Sequence, residues 1–429
     1  MVSARQFTVL SRPSIFAQDG TQFFKFPTRA FHPMPAASSL SALLLSVLFL
    51  ISGNGLLNTL VPLRSKLDGF PEMAIGLVGS AYFLGMLLGT FITPALIRRA
   101  GAVQAFAAFA CCTVLAALMF PALPHWVAWV ALRACVGFAF AGLYAVIEAW
   151  LNARSDNTNR GRVYALYQIV TFVGSACGQE VISFARPQAD LLFSAAAACM
   201  VFAVVPLTLT KTAPPSAPRS VALRIGWLAR MSPVGAVAAL CIGAANGSFY
   251  SLAPVFGLGL GLTPGGVAGF MTAVTLGTAL AVYPVARLSD GHDRRVVLLV
   301  FTAIGIMAET MLVLRGTASP ILLTCLGFAV GASTMVLYTV AISHANDRAG
   351  PERAIEVSAG MLFLYCVGAI VMPAVGSVLM GWFGPNALFV QNAIVHSGLA
   401  CFVLWRLLLK DASRSSAIVP RLTARAGLG

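Results

Sequence analysis

Between Met231 and Ala286 the chain carries no Asp, Glu, Lys or Arg. A soluble domain covers its surface with charge, roughly a quarter of its residues. Here only 10% of 429 residues are charged, 59% are hydrophobic and the mean hydropathy is +0.86. Such a chain is not an ordinary soluble protein. Hydrocarbon offers no water to backbone N–H and C=O groups, so segments this apolar are expected to bond internally as helices. The net charge of +14 would suggest nucleic acid in a soluble chain, but in a membrane protein it marks loops held on the cytoplasmic side. Nucleic-acid binding is therefore excluded.

A spanning helix needs about 20 apolar residues. Charge-free runs of that size cover 40–63, 73–97, 100–124 and 191–210, while 126–150 and 163–185 qualify with charges inside them. The run 231–286 is too long for one span and breaks at the Gly-rich stretch 257–266. Runs 296–314 and 316–343 follow, and 357–405 is a double span broken at 381–386. The expectation is twelve transmembrane helices, as two six-helix bundles over 40–210 and 233–409, joined by a basic, Pro-bearing linker at 211–232. With both termini inside, 23 of the 28 Lys and Arg fall on one side and Arg64, Lys66, Arg186 and Arg315 on the other. That asymmetry places both termini and a tail at 410–429 in the cytoplasm, in a multi-pass protein of the inner (plasma) membrane. Residues 1–39 bear Arg and lack an apolar core, so they are no cleavable signal peptide. With Met34 just before the first span, they read as a disordered extension or an over-extended start.

The nine cysteines all lie in apolar stretches with no CxxC pair. They read as small packing residues, and no disulfide, metal or cofactor is expected.

The halves resemble each other. Asn54-Gly-Leu-Leu-Asn-Thr-Leu-Val-Pro62 in the first span matches Asn246-Gly-Ser-Phe-Tyr-Ser-Leu-Ala-Pro254 in the seventh. Leu143-Tyr-Ala-Val-Ile-Glu-Ala-Trp-Leu-Asn-Ala-Arg154 in the fourth matches Leu337-Tyr-Thr-Val-Ala-Ile-Ser-His-Ala-Asn-Asp-Arg348 in the tenth. The offsets, 192 and 194, are nearly equal. Duplicated bundles are the build of alternating-access carriers, with a ligand site between the halves near mid-membrane.

At this point the sequence resembles a major facilitator superfamily transporter over roughly residues 40–409. Arg287-Leu-Ser-Asp-Gly-His-Asp-Arg-Arg295 is similar to the superfamily's signature loop, an acid followed by a basic cluster. Together with Glu148-Ala-Trp-Leu-Asn152 and His344-Ala-Asn-Asp-Arg348, it resembles the YcaD-like branch. The resemblance implies an all-α integral membrane protein of two pseudo-symmetric bundles. There are departures: Arg98 replaces the usual acid of the first-half loop, Val136 stands where Gln is common, and Gln179 stands where an antiporter motif has Pro. The likeness is thus to the superfamily rather than to its drug exporters.

Charges inside a span are expensive and face a cavity or a partner. Arg133 and Glu180 lie on spans that border the cavity in this family. They read either as substrate ligand and proton-coupling acid or as a structural ion pair, burial and a neighbouring Arg shifting a carboxyl in opposite senses. Glu309, near Arg315, reads as an interfacial residue whose carboxylate snorkels. Asn54 and Asn58 share a helix face, and Asn246 and Tyr250 repeat the spacing, so these four are candidates to hydrogen-bond a polar ligand. Interhelical glue is the alternative. Gln168 and Gln179 are weaker additions. Arg98, Arg99, Glu148, Asp290, Asp293, Arg294, Arg295 and Arg348, with Glu356, are expected to form a cytoplasmic latch. No GxxxxGK[ST], HExxH or GxSxG elbow is present. The reading is a monomeric, proton-coupled secondary transporter of a small organic solute, not an enzyme. A receptor or scaffold that kept the carrier fold is the alternative.

Overall fold

The runs form helices because the backbone bonds to itself where no solvent will bond to it. The computed structural model describes the backbone of residues 35–155, 159–208, 223–315 and 319–426, and the side chains of 40–155, 159–207, 223–314 and 319–409. The expected N-terminal extension up to residue 34, linker residues 211–222 and the Arg315 side chain lie outside the described residues.

The first bundle holds α1 (Pro35–Leu67), α2 (Glu72–Ala100), α3 (Ala102–Ala122), α4 (Trp126–Ala153), α5 (Arg160–Glu180) and α6 (Leu191–Thr208). A short helix, α7 (Ile225–Met231), falls inside the expected linker and buries Leu228 beside Gly360. The second bundle holds α8 (Pro233–Gly259), α9 (Pro264–Gly291), α10 (Arg294–Arg315), α11 (Pro320–Ser333), α12 (Leu337–Ala349), α13 (Ala354–Phe383) and α14 (Ala387–Ala426). Among the described residues, ten segments are long and apolar enough to cross a membrane, with α11 and α12 together forming one, and Leu191–Leu207 is apolar but shorter. α5 takes the place of the expected fifth span.

Two details differ from the sequence expectation. The run 316–343 is interrupted: a turn at residues 334–336 divides α11 from α12. Ser333 Oγ bonds Ala329 O at 2.7 Å and Thr334 Oγ1 bonds Val330 O at 2.9 Å, hydroxyl back-bonding of the kind that bends a helix. α14 also runs well past the expected end of its span near Trp405.

Apolar side chains such as Phe91, Leu115, Phe202, Met307 and Ile321 stay exposed around the bundle, where lipid rather than water would meet them. Trp382 and Phe383 are exposed near one end, in the manner of interfacial aromatics.

Glycine sets the helix crossings. A Cβ on Gly85 would lie 1.9 Å from Ala134 O, and one on Gly137 would lie 1.9 Å from Tyr82 O, so α2 and α4 touch backbone to backbone. The second bundle repeats this where α9 meets α11. Gly277 would meet Phe328 O at 2.1 Å and Gly331 would meet Val274 O at 2.0 Å. Gly85 and Gly277 are 192 residues apart and Gly137 and Gly331 are 194 apart, the offsets of the sequence repeat. The internal duplication is thus carried in packing as well as in motif. Gly137→Val and Gly331→Val should each lower the thermal midpoint of detergent-purified protein, by overpacking worth about 1–3 kcal/mol or more. Gly398→Ala, where a Cβ meets nothing within 4 Å, should leave it unchanged. Equal midpoints for all three would contradict this account of the crossings.

Candidate functional site

Between the halves lies a cavity of about 260 Å³, lined from α1, α2, α4 and α5 on one side and α8, α9 and α13 on the other. Asn54 and Asn58, four residues apart on α1, both face it. Asn54 is buried beside Tyr82 and Tyr144, and its Oδ1 has no hydrogen-bond partner. Arg133 of α4 is buried at 5% exposure. Its Nη2 donates to Asn58 Oδ1 at 3.1 Å, and its guanidinium carbon sits 4.7 Å from the centre of the Tyr82 ring. Arg133 Nε and Nη1 have no partner.

The second half supplies Tyr250, Ser251, Thr275, Thr278 and Tyr365. Asn246 does not line the cavity. It is buried beside Tyr365, with its Oδ1 unbonded. Tyr365 meets Phe83 across the halves, ring centres 6.4 Å apart, and packs on Tyr338 at 5.3 Å. Four of the five sequence-selected binding residues therefore share one cavity. Tyr82, Tyr144 and Tyr365 were missed. Tyr144 stands inside the repeated motif opposite Tyr338, which is the signal that would have found it; Tyr82 and Tyr365 sit in apolar runs with no such mark.

Above the cavity the halves are sealed at the end carrying residues 68–71, 186–190, 260–263 and 384–386, where Lys and Arg are few. Gln179 Oε1 of α5 accepts from Thr275 Oγ1 at 3.1 Å and Thr272 Oγ1 at 3.4 Å, both on α9. Nearby, the Cα of Gly79 comes so close to Ser251 that a Cβ would lie 2.3 Å from its Oγ, and Gly76 is packed as tightly against Ser377 and Pro373 O. Gln179 is thus a clasp between halves, whereas Gln168 is exposed. Glu180, the last residue of α5, accepts from Ser183 Oγ at 3.3 Å. The structure does not bring it together with Arg133, whose bonded partner is Asn58.

At the opposite, Arg-rich end the second half forms an ionic cluster. Arg294 pairs with Asp290 at 3.0 Å and with Asp347, and Arg295 pairs with Asp293 at 2.6 Å. Arg348 Nη1 donates to Met231 O at 3.3 Å. The Arg294 and Arg295 pairs lie on the second half, and Arg348 ties it to α7. In the first half Arg98, Arg99 and Glu148 are exposed. Glu356 has a buried, unbonded Oε2 and takes no part in the cluster.

Glu309 is a correction. It does not snorkel: both its side chain and that of His396 on α14 are 1% exposed, and His396 Nδ1 lies 3.1 and 3.0 Å from its two carboxylate oxygens. Glu309 shares its helix face with buried Ala308 and Leu312, while Met307 and Met311 face outward. Proximity to Arg315 in sequence suggested the interface; the partner that holds the carboxylate inside lies 87 residues away.

The model of the family described as Major Facilitator Superfamily matches residues 43–271 and 235–426. The uncharacterised MFS-type transporter YcaD of Escherichia fergusonii is 26% identical over 385 residues, 87% of this chain and 96% of its own. YcaD of Salmonella typhimurium is 26% identical over 383 residues, 87% and 96% of the two chains. Among solved structures, the nucleoside transporter NupG superposes with a TM-score of 0.73 at 13% identity, covering 86% of this chain and 98% of that one. A bacterial homologue of the human lysosomal transporter Spinster, inward-facing and occupied, gives 0.69 at 14%, covering 87% and 97%.

The Glu309–His396 pair predicts a stability effect separable from the cavity. Glu309→Ala leaves His396 buried without its partner and should cost about 1–3 kcal/mol in detergent unfolding experiments. Glu309→Met with His396→Leu together should recover most of that loss. A double variant as unstable as the sum of its singles would argue that the two do not act as a pair.

Proposed function

We propose that this chain, which belongs to the Major Facilitator Superfamily and is a membrane transporter, moves a small organic solute by alternating access around the cavity between its halves. The observation that carries this reading is the cavity itself: polar and aromatic groups from both halves converge there, and packed glycines and hydroxyls join the halves at its charge-poor end. A solute held by both halves binds best when they enclose it, so its affinity depends on their relative position. That dependence is what a carrier needs.

Asn54, Asn58, Arg133 and Tyr250 are proposed to hold the solute, with Asn246 positioning Tyr365 behind it. The excess of Lys and Arg supports a cytoplasmic Arg-rich end and cytoplasmic termini, in an inner (plasma) membrane. On that orientation the sealed end faces outward. For the cavity to open outward, the Gln179 clasp and the contacts at Gly76 and Gly79 must part. The ionic cluster of Asp290, Asp293, Arg294, Arg295 and Arg348 then meets the end of the first half that carries Arg98, Arg99 and Glu148, forming the cytoplasmic latch. Glu180 adjoins the clasp residue Gln179, so parting the seal changes its surroundings. This is the basis for giving it the proton that couples transport to a gradient. The working unit is a monomer.

The test uses purified protein, screened against a broad solute library by thermal unfolding and then reconstituted for uptake. A solute class that stabilises the protein should lose its effect in Asn58→Ala and be taken up into liposomes; stabilisation untouched by Asn58→Ala and Tyr250→Phe would move the site elsewhere. Gln179→Ala should raise labelling of a single cysteine at Ser251 by a reagent confined to the outer side, by several-fold. Glu180→Gln should flatten the pH dependence of uptake, and an unchanged profile would remove Glu180 from coupling.

A further inference from the structure

We infer that the transported solute is an organic anion, a carboxylate on a small flat body, with Arg133 as its counter-charge; the inference rests on the central-cavity reading above. Arg133 is the only charged residue among the described residues that line the cavity. It is 5% exposed, within a helix long and apolar enough to span the membrane. A cation in that position ordinarily has a carboxylate partner. This one has a neutral amide oxygen and an aromatic face instead, and its Nε and Nη1 are left without acceptors.

A guanidinium carries five N–H donors and accepts nothing. Its guanidinium borders the cavity while Nε and Nη1 lack acceptors, so an oxyanion bound there supplies the missing charge and an acceptor. Asn58 and Tyr82 hold the guanidinium from one side each, so it is oriented before a ligand arrives.

The rest of the wall describes the rest of the molecule. Tyr82, Phe83, Tyr144, Phe172, Tyr250 and Tyr365 give the cavity ring faces and phenolic hydroxyls from both halves. Ring faces suit a flat, apolar body, and the hydroxyls and Asn54 Oδ1 suit a polar substituent at its far end. A volume of about 260 Å³ suits a small molecule of one ring or a short chain. With no carboxylate in the described wall, an organic cation would find no ion-pair partner there and would be repelled by Arg133, with only ring faces to offset it.

Matched pairs of probes separate charge from shape: benzoate against benzamide, 4-hydroxybenzoate against its amide, and nicotinate against nicotinamide, with benzylamine as the cation. At neutral pH at least one acid should raise the thermal midpoint of the wild-type protein while its amide does not. Affinity for that acid should fall roughly tenfold to a hundredfold in Arg133→Met, the loss expected for a charge-assisted hydrogen bond. Arg133→Lys should recover part of it, and circular dichroism should confirm that both variants fold. Acids and amides acting alike, or benzylamine acting best, would overturn the proposal. If neutral solutes bind and Asn58→Ala abolishes them, the cavity reading survives while the anion inference falls. If an acid binds but no substitution at Asn58, Tyr250 or Arg133 weakens it, both fall.

Discussion

Everything in this molecule depends on backbones that touch. In hydrocarbon the hydrophobic effect gives helices no reason to associate, because lipid tails are as apolar as leucine. Close van der Waals contact must hold them instead. Gly85 and Gly137 bring α2 onto α4, and Gly277 and Gly331 bring α9 onto α11, each at distances a single Cβ would prevent. These crossings fix the slope of the helices within each half. The slope then decides which side chains meet between the halves, and so the width and lining of the cavity.

The polar groups follow from the same constraint. A span keeps a polar residue only where something inside the protein receives it. Glu309 and His396 receive each other, and Gln179 is received by the threonines of α9. Asn54, Asn246 and Arg133 are received only in part, and their unbonded atoms cluster in and around the cavity. Unbonded buried atoms also occur elsewhere, at Trp150, Glu356 and His396 Nε2 among others; what distinguishes Asn54 and Arg133 is that they border a space between the halves.

The sequence made the architecture legible because its signals are strong and local. Charge-free runs mark spans, Lys and Arg mark sides, and the Asn-Gly motifs at residues 54 and 246 mark the duplication. The cavity face of α1 was legible for the same reason, since Asn54 and Asn58 lie one turn apart. What was not legible involved pairing across long separations. Nothing near Glu309 names His396, and nothing near Arg133 names Asn58 or Tyr82. The break between α11 and α12 was also hidden, because Ser333 and Thr334 are as compatible with a continuous helix as with a bend until their hydroxyls choose the backbone. Asn246 shows the limit of symmetry itself: the motif repeats, but α8 turns its asparagine toward Tyr365 and presents Tyr250 to the cavity instead.

The two ends of the bundle are held by different chemistry. At the charge-poor end the halves meet through glycine contacts and neutral hydrogen bonds to Gln179, each worth about 0.6 kcal/mol on average in a membrane protein. At the Arg-rich end Arg294 pairs with Asp290 and Asp347, and Arg295 with Asp293, all of them residues of the second half. A seal of a few weak contacts stabilises its state by only a few kcal/mol, which is the range a bound solute or proton can reverse. Had the halves been joined across their interface by buried ion pairs, separating them would strand charge away from water, at several kcal/mol for each ion. Neutral clasps between the halves make a joint that separates at low cost, which the proposed alternating access requires.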